Sequence, residues 1–300
     1  IFTLACLLLC IFAAVRLGSA PLPSHAFPLA LTGKTLRLQD ILTERASRTP
    51  DRIALVAGRT RLTFAALSAM SDSLAATFAE HGLRRGDRLA VFSDSWCESA
   101  LALLAALKAG AIACPINPLT AAESLTGLLR AWRARALVTE ARLASTAAIA
   151  IRTADSVRLV VLAGTRGHEP AAGCIRFEDA IATRQVVLPP GSAAGDIAFI
   201  LADERPDAPP AASLVRHQDL LALMAAEPRR GEEDAVITSL RLNGKAGLAQ
   251  LFAALRDGIT LMHSSSGLGD VRPLTPSVAS SRPAQSMRQP ARKGARKWDA

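Results

Sequence analysis

The residues of greatest chemical interest lie between a predicted strand, DIAFIL (196–201), and a predicted helix that begins at His217. Strand-to-helix junctions hold phosphate groups in many α/β proteins, because glycines allow a ligand to approach the backbone and free amides point at it. The connecting stretch 202–213 contains no glycine. It contains three carboxylates and three prolines instead, at Asp203, Glu204, Asp207, Pro206, Pro209 and Pro210. These residue types do not favour phosphate binding.

Three further motifs could carry chemistry, and none has a complete pattern. Gly244-Lys245-Ala246-Gly247 lacks the Walker spacing and the Ser or Thr that follows the lysine of a phosphate loop. Ser264-Ser265-Ser266-Gly267 lacks the frame of a nucleophile elbow. His217 precedes an apolar helix pattern, so a packing or capping role is predicted for it rather than catalysis.

The other histidines and the five cysteines indicate neither a metal site nor a disulfide framework. The histidines have no partners at metal-ligand spacing, and the cysteines are odd in number and form no CxxC pair. Cysteines in or beside apolar runs are expected to pack as small hydrophobic groups in a reducing compartment. No catalytic residue and no metal ligand is therefore assigned. The residues concerned are His25, His81, His168, His263, Cys6, Cys10, Cys97, Cys114 and Cys174.

Alternating strands and helices must position these residues. Pairs in capping-box spacing, Ser95 with Glu98 and Thr120 with Glu123, predict two helix starts, and Gly110 predicts a helix end. Apolar strands in β-α-β order imply an α/β fold with parallel-rich sheets flanked by helices. Besides DIAFIL, the predicted strands are RLAVFS (88–93), AIACPINP (111–118), ALVTE (136–140), VRLVVLAG (157–164) and DAVITSL (234–240).

Composition indicates a globular, alanine-rich chain of bacterial type with a basic tail. Half of the 300 residues are hydrophobic, and the net charge is +9. Most of this charge lies from Arg272 onward, where Asp299 is the one acid, so the body is close to neutral. We expect residues 264–300 to form a disordered basic tail, with contact to nucleic acid or an anionic membrane as the less favoured alternative.

The first fifteen residues, IFTLACLLLCIFAAV, are almost wholly apolar and precede Arg16 and a turn-rich linker. Such a run suits a signal-peptide core or a membrane anchor. The prediction is therefore a hydrophobic anchor or signal-like segment with its linker over residues 1–30, and membrane association through residues 1–15. An incomplete α/β domain is predicted over 31–263. We expect a location in the cytoplasm or at the cytoplasmic face of a membrane.

Several segments, taken in order, resemble the N-terminal part of the adenylate-forming superfamily of acyl-CoA synthetases, aryl-acid ligases, luciferases and peptide-synthetase adenylation domains. TPDRIALV (49–56) and RLTFAALSAMSDSLAATF (61–78) resemble its opening strand and first long helix. The best match is HGLRRGDRLAVFSDSWCESALALLAALKAGAIACPINP (81–118). The order and spacing of these segments, from Leu42 to about Met262, make the chain similar to this AMP-dependent synthetase/ligase family.

The resemblance implies that the stretch after DIAFIL corresponds to the family's phosphate loop, YTSGTTGxPKG. The hydroxyls, amides and lysine of that loop bind the phosphates of ATP. In register without a gap, only Pro210 matches. Asp203 and Glu204 replace the Thr-Ser pair. The Gly-Thr-Thr-Gly run is replaced by Arg205, Pro206, Asp207 and Ala208. Ala211 and Ala212 replace the Lys-Gly pair.

A second motif also departs from the family. SLRLNGKAGLAQLFAALRDGITLM (239–262) resembles the Leu-Pro-Leu-Phe-His motif with the Gly-Leu pair and helix that follow it. Arg241, Asn243 and Gly244 replace the proline, the aromatic residue and the histidine, whereas Gly247 and Leu248 remain. The resemblance implies that side chains lining the acyl and nucleotide pocket are absent. The family's later elements, including a catalytic lysine, have no counterpart after residue 262.

These departures predict an AMP-dependent synthetase/ligase-like pseudoenzyme, truncated and without ligase activity. No cofactor is expected in this form, although the family uses ATP and magnesium. Two alternatives stay open. One is an active acyl- or aryl-carboxylate activating enzyme, which forms an acyl-adenylate and then a thioester, if the chain belongs to a longer or multi-chain protein. The other is a membrane-tethered interaction module. Nucleic acid is not expected as a partner, and oligomeric state is not predicted.

Overall fold

The computed structural model describes residues 37–165, 173–188, 191–203, 211–226, 229–231 and 235–264. These residues all belong to one compact unit that begins at Arg37. The predicted segment 1–30, its linker and the tail from residue 265 lie outside the described residues, and so do Cys6, Cys10, His25 and His168. The predicted domain bounds stay predictions. Within the described part of the chain, no helix is long and apolar enough to cross a membrane.

Helices and strands alternate along the described chain. The helices are α1 (Leu38–Arg48), α2 (Phe64–Glu80), α3 (Trp96–Lys108), α4 (Ala122–Ala131), α5 (Ala144–Ile151), α6 (Phe177–Ala180), α7 (His217–Ala226) and α8 (Lys245–Asp257). The strands are β1 (Ile53–Ala57), β2 (Thr60–Thr63), β3 (Arg88–Phe92), β4 (Ile112–Ile116), β5 (Ala134–Glu140), β6 (Leu159–Ala163), β7 (Cys174–Arg176), β8 (Ile197–Asp203), β9 (Ala211–Arg216), β10 (Ala235–Thr238) and β11 (Thr260–His263).

These strands form two sheets. The larger has the order β7-β6-β5-β3-β4-β8-β9 and is parallel except for the β8–β9 pair. The smaller has the order β10-β11-β1-β2 and is parallel except for the β1–β2 pair. The predicted α/β class with parallel-rich sheets flanked by helices is confirmed.

Strand β3 shows how the larger sheet is covered on both faces. Leu89 and Val91 point into the main core, which also holds α1, α2, α3 and the smaller sheet. Ala90 and Phe92 point the other way, into a second cluster with residues of α4 and α5. This alternation follows from the two-residue period of a strand. Helix α3 is buried along its length except at Glu98, because it lies within the main core.

The helix boundaries confirm one predicted helix start and correct the other. Helix α3 begins after Ser95 as predicted, although the Ser95 hydroxyl contacts the carboxylate of Glu98 and caps no backbone amide. The predicted start at Thr120 is wrong, since the N-cap of α4 is Ala121. Gly110 follows α3 with a φ of 75°, the left-handed conformation expected at a helix end.

The direct strand-to-helix junction predicted after DIAFIL is corrected by strand β9. Asp203 at the end of β8 pairs with Ala211 at the start of β9, in an antiparallel hairpin. Helix α7 then begins at His217, as predicted. The sequence AASLVR is short and opens with two alanines, which have little preference for strands, so its strand signal is weak. The two β9 residues Ala211 and Ala212 therefore belong to a strand rather than to a loop.

Candidate functional site

A cavity of about 210 Å³ lies where β3 and β4 end, against the start of α3 and the connection from β10 to α8. Ligands of open α/β sheets bind outside the carboxyl ends of the strands, so this is the position at which a site is expected. We call it the carboxyl-edge cavity. Its lining is Val91, Ser93, Asp94, Trp96, Ser99, Pro115, Ile116, Pro118, Ser239, Arg241, Leu242, Asn243 and His263.

The charges at the mouth of this cavity are paired with one another. Asp94 Oδ2 lies 2.6 Å from Arg142 Nη2, and its Oδ1 lies 2.5 Å from Arg241 Nη1. Arg142 also pairs with Glu140, whose Oε1 accepts the backbone amide of Asp94 at 2.7 Å. Burial would raise the pKa of Asp94, but hydrogen bonds from Arg142 and Arg241 outweigh it and lower that pKa. The carboxylate is thus held charged between two guanidinium groups.

One wall of the carboxyl-edge cavity is aromatic. The rings of Trp96 and His263 stack with centroids 5.7 Å apart and planes inclined by 25°. Trp96 Nε1 also donates to the Leu240 carbonyl at 3.2 Å, which ties α3 to the end of β10. Burial lowers the pKa of His263, and Arg241 adds to this effect against the opposing charge of Asp94. The fold thus gives His263 an aromatic partner that the sequence did not indicate.

The backbone of the second motif explains which of its residues are kept. A Cβ added to Gly247 would lie 2.1 Å from the Arg241 carbonyl oxygen, so no side chain fits there without a backbone shift. Gly244 is the N-cap of α8 and Lys245 is its first residue. The run 244–247 is thus the start of a helix. Its Gly247 packs against the backbone of Arg241, which lines the cavity.

The predicted phosphate-loop positions are divided between two strands and the chain between them. Asp203 ends β8, and Ala211 and Ala212 begin β9. Glu204, Arg205, Pro206, Asp207 and Ala208 lie outside the described residues. Because β8 runs parallel to β4, its end lies at the same edge of the sheet as the carboxyl-edge cavity.

His217 lies at the opposite edge of the sheet. Its backbone amide donates to the Asp196 carbonyl at 3.3 Å, at the start of β8. The side chain is fully buried, and its Nδ1 accepts the amide of Leu38, the first residue of α1, at 3.3 Å. Burial lowers the pKa of His217 to about 4. This geometry agrees with the predicted packing or capping role.

The described cysteines are free, and burial raises the pKa of Cys97, Cys114 and Cys174, so their thiols are poor nucleophiles. Among the described residues no group of His, Cys, Asp and Glu could hold a metal ion. Sequence reasoning missed Asp94, Trp96 and Arg142. The position of Asp94 directly after β3, where parallel strands end, was the available signal.

Comparison with known proteins gives a consistent result. Surfactin synthase subunit 2 of Bacillus subtilis (strain 168) is 28% identical over 235 residues, which are 75% of this chain and 6% of that protein. A medium/long-chain-fatty-acid–CoA/3-oxocholest-4-en-26-oate–CoA ligase of Mycobacterium tuberculosis (strain CDC 1551 / Oshkosh) is 27% identical over 191 residues, 63% of this chain and 35% of that one. The chain therefore spans only a minor part of these relatives.

A solved structure supports the same fold. The inhibitor-bound N-terminal domain of FACL13 from Mycobacterium tuberculosis superposes with a TM-score of 0.68 at 21% identity, over 78% of this chain and 58% of that one. The family described as "AMP-binding enzyme" matches residues 42–267, well over half of the chain. The chain belongs to the AMP-binding enzyme family of adenylate-forming proteins.

Proposed function

We propose that this chain is an adenylate-forming domain that has lost ATP-dependent activation of carboxylates and acts by binding rather than by catalysis. The observation that carries the proposal is the replacement of eight phosphate-loop positions by three carboxylates, one proline, one arginine and three alanines between residues 203 and 212. The family is ATP-dependent and uses magnesium, and its phosphate loop is the part that holds the triphosphate.

Charge is the first reason why a triphosphate does not fit this loop. Asp203, Glu204 and Asp207 place up to three negative charges where the phosphates would lie. Two unit charges of like sign about 4 Å apart cost roughly 4 kcal/mol at an effective dielectric constant of about 20. The one cation, Arg205, does not offset three such contacts. The donor set of this loop therefore does not fit ATP with magnesium.

Loss of hydrogen-bond donors is the second reason. Proline has no backbone N–H, so Pro206 and Pro209 remove two amides that glycine- and threonine-rich loops supply to phosphates. The alanines at 211 and 212 lie in β9, where Ala211 is paired with Asp203 of β8. A lysine at position 211 would provide a cation at this hairpin, and alanine provides none.

The carboxyl-edge cavity supports the same proposal. Its volume of about 210 Å³ lies below the roughly 300–1,000 Å³ of typical ligand sites. Arg241, which stands where the family has proline, contributes its guanidinium to the Asp94 pair at the cavity mouth. The space is narrow and its charges are already neutralised, so it suits neither a nucleotide nor a free carboxylate.

The test is pyrophosphate release from Mg-ATP by the full chain, with fatty, aryl and amino acids offered separately. The comparison is a variant in which the eight altered positions carry the family's Thr, Ser, Gly and Lys residues, with folding checked by circular dichroism. No release by the natural chain is expected with any acid. Release by the natural chain above the rate of a heat-denatured control would overturn the proposal, and the alternative of a working carboxylate-activating enzyme would replace it.

A membrane-tethered interaction module is a second candidate. The apolar run at 1–15 and the basic residues from 272 onward favour it, and both lie outside the described residues. Location at the cytoplasmic face of a membrane is part of the same proposal. Flotation of the full chain with neutral and anionic vesicles tests it. An anchor would be supported if the chain floats with both kinds of vesicle and the Leu8→Lys and Leu9→Lys substitutions abolish this flotation. An anchor would be rejected if the chain floats with neither kind.

A further inference from the structure

A second cavity lies at the edge of the sheet opposite the carboxyl-edge cavity. It has a volume of about 660 Å³ and lies where β3, β5 and β6 begin. We call it the amino-edge cleft. The length of β3, roughly 16 Å for five residues, separates it from the carboxyl-edge cavity. Its lining is Asp87, Arg88, Arg130, Arg133, Arg135, Thr153, Asp155, Ser156 and Arg158.

Backbone hydrogen bonds order two of the chain segments that line this cleft. The Arg133 amide donates to the Arg130 carbonyl at 3.0 Å and closes the turn from α4 to β5. The Arg158 amide donates to the Arg135 carbonyl at 2.9 Å, so the start of β6 is fixed against β5. The arginines are thus carried on a firm backbone frame.

The Arg88 side chain links backbone segments that line the cleft. Its guanidinium donates to the carbonyls of Trp132 at 2.6 Å, Arg133 at 3.0 Å and Gly86 at 3.1 Å. Carbonyl oxygens orient a guanidinium without cancelling its charge. Arg88 therefore keeps a full positive charge in the cleft and holds the backbone of Arg133 in place.

The other four arginines are exposed and lack acidic partners. Within the described residues, Arg130, Arg133, Arg135 and Arg158 form no salt bridge. The carboxylate of Asp87 already accepts the amide of Arg84 at 2.9 Å. Five arginines and two aspartates thus leave a clear excess of positive charge.

Two further local features of the cleft are unusual among the described residues. Arg133 has a φ of 50° and, among the described residues, is the one non-glycine residue with positive φ. Glycine fits that conformation at a helix end without strain, so an arginine there needs another reason. The Ser156 hydroxyl oxygen, in a residue that lines the cleft, is buried and has no hydrogen-bond partner among the described residues.

We propose that the amino-edge cleft binds a small anion that carries two or more linked phosphoryl groups, such as a diphosphate or a nucleoside diphosphate. All five cations are arginine, whose planar guanidinium pairs with phosphate oxygens in a bidentate manner. A volume of about 660 Å³ suits a ligand of this size. The two aspartates in the lining favour a compact ligand over a nucleic acid, whose phosphates would extend past them. The proposal does not rest on the loss of ATP-dependent activation.

The test is calorimetric titration of the full chain with inorganic pyrophosphate, ADP and citrate at about 0.15 M salt, which screens exposed charge. The key variant is Arg133→Gly, because glycine relieves the positive φ and leaves the carbonyl that Arg88 holds. Arg59→Gln is the matched control, since Arg59 is exposed in the β1–β2 turn, far from this cleft along the chain. The basic tail also attracts anions, so the comparison between variants is decisive.

We expect pyrophosphate or ADP to bind at least tenfold more tightly than citrate, and Arg133→Gly to weaken that binding by about tenfold or more. Arg59→Gln should change it by less than about twofold. Equal binding of ADP and pyrophosphate would assign recognition to the phosphoryl groups alone, and tighter ADP binding would add the nucleoside. No binding, citrate binding of equal strength, or equal loss in both variants would overturn the proposal. Tighter binding of a short RNA or of anionic vesicles than of either probe would also overturn it.

Discussion

The two cavities at the edges of the larger sheet differ in whether their arginines are paired with carboxylates. At the carboxyl edge, Arg142 and Arg241 both pair with Asp94, so their charges serve the fold. At the amino edge, four exposed arginines have no acidic partner among the described residues, and Arg88 is held by carbonyl oxygens alone. The charges at the expected position of a site in this fold are therefore neutralised by internal pairs, whereas the amino-edge cleft presents unneutralised charge. An arginine count alone does not separate these two cases.

The largest expected effect concerns the backbone that closes the carboxyl edge. Gly247→Ala places a Cβ 2.1 Å from the Arg241 carbonyl oxygen, and the resulting shift should cost about 2–3 kcal/mol of unfolding free energy. Gly127→Ala in α4 is the control, because nothing lies within 4 Å of its Cβ. That variant should gain about 0.5–1 kcal/mol. Urea denaturation measures both, and a loss of similar size at both sites would contradict the packing argument.

The next prediction concerns the pH dependence of stability that follows from the buried, neutral His217 at the amino edge. His217 has a pKa of about 4 in the folded chain, against about 6.5 when unfolded, so its contribution to stability is present above pH 6.5 and is lost as the pH falls towards 4. At pH 5 the loss should be about 2 kcal/mol.

His217→Asn keeps an acceptor near the Leu38 amide but does not titrate. Urea denaturation at pH 8 and pH 5 measures how much unfolding free energy each protein loses between the two pH values. The natural chain should lose about 2 kcal/mol more than the variant. Other titrating groups are common to both proteins and cancel. Parallel losses in the two proteins would show that His217 is not the responsible group.

A smaller effect on stability is expected when a paired charge is removed, and no loss is expected when an unpaired charge is removed. Asp94→Asn removes the carboxylate shared by Arg142 and Arg241, and because these groups are partly exposed it should cost about 1 kcal/mol. Arg135→Gln at the amino edge removes a charge with no acidic partner, so stability should be unchanged or slightly higher. Thermal denaturation at low and high salt should show that only the Asp94 effect shrinks with salt. A cost at Arg135 equal to that at Asp94 would remove the distinction between the edges.

The fold was largely predictable from the sequence because its strands are continuous apolar runs, such as DIAFIL, that end at turn residues. Strand β9 was not, since AASLVR carries a weak strand signal and depends on its pairing with β8. The negative charge at the phosphate-loop positions was also evident from the residue types in the sequence. The pairing of Asp94 with Arg241 was not, because 147 residues separate them and no local pattern links them.

The smallest expected effect concerns the strained turn of the amino-edge cleft. An arginine with a φ of 50° costs stability that glycine avoids, and glycine also removes one of several neighbouring positive charges. Relief of the strained backbone and removal of a positive charge both stabilise the variant, whereas the greater conformational freedom of glycine in the unfolded chain destabilises it. Arg133→Gly should therefore leave the melting temperature unchanged or raise it, with a gain of up to about 1 kcal/mol. A loss of more than about 1 kcal/mol would mean that the Arg133 side chain packs as part of the fold, and the distinction between a closed carboxyl edge and an available amino edge would fail at this residue.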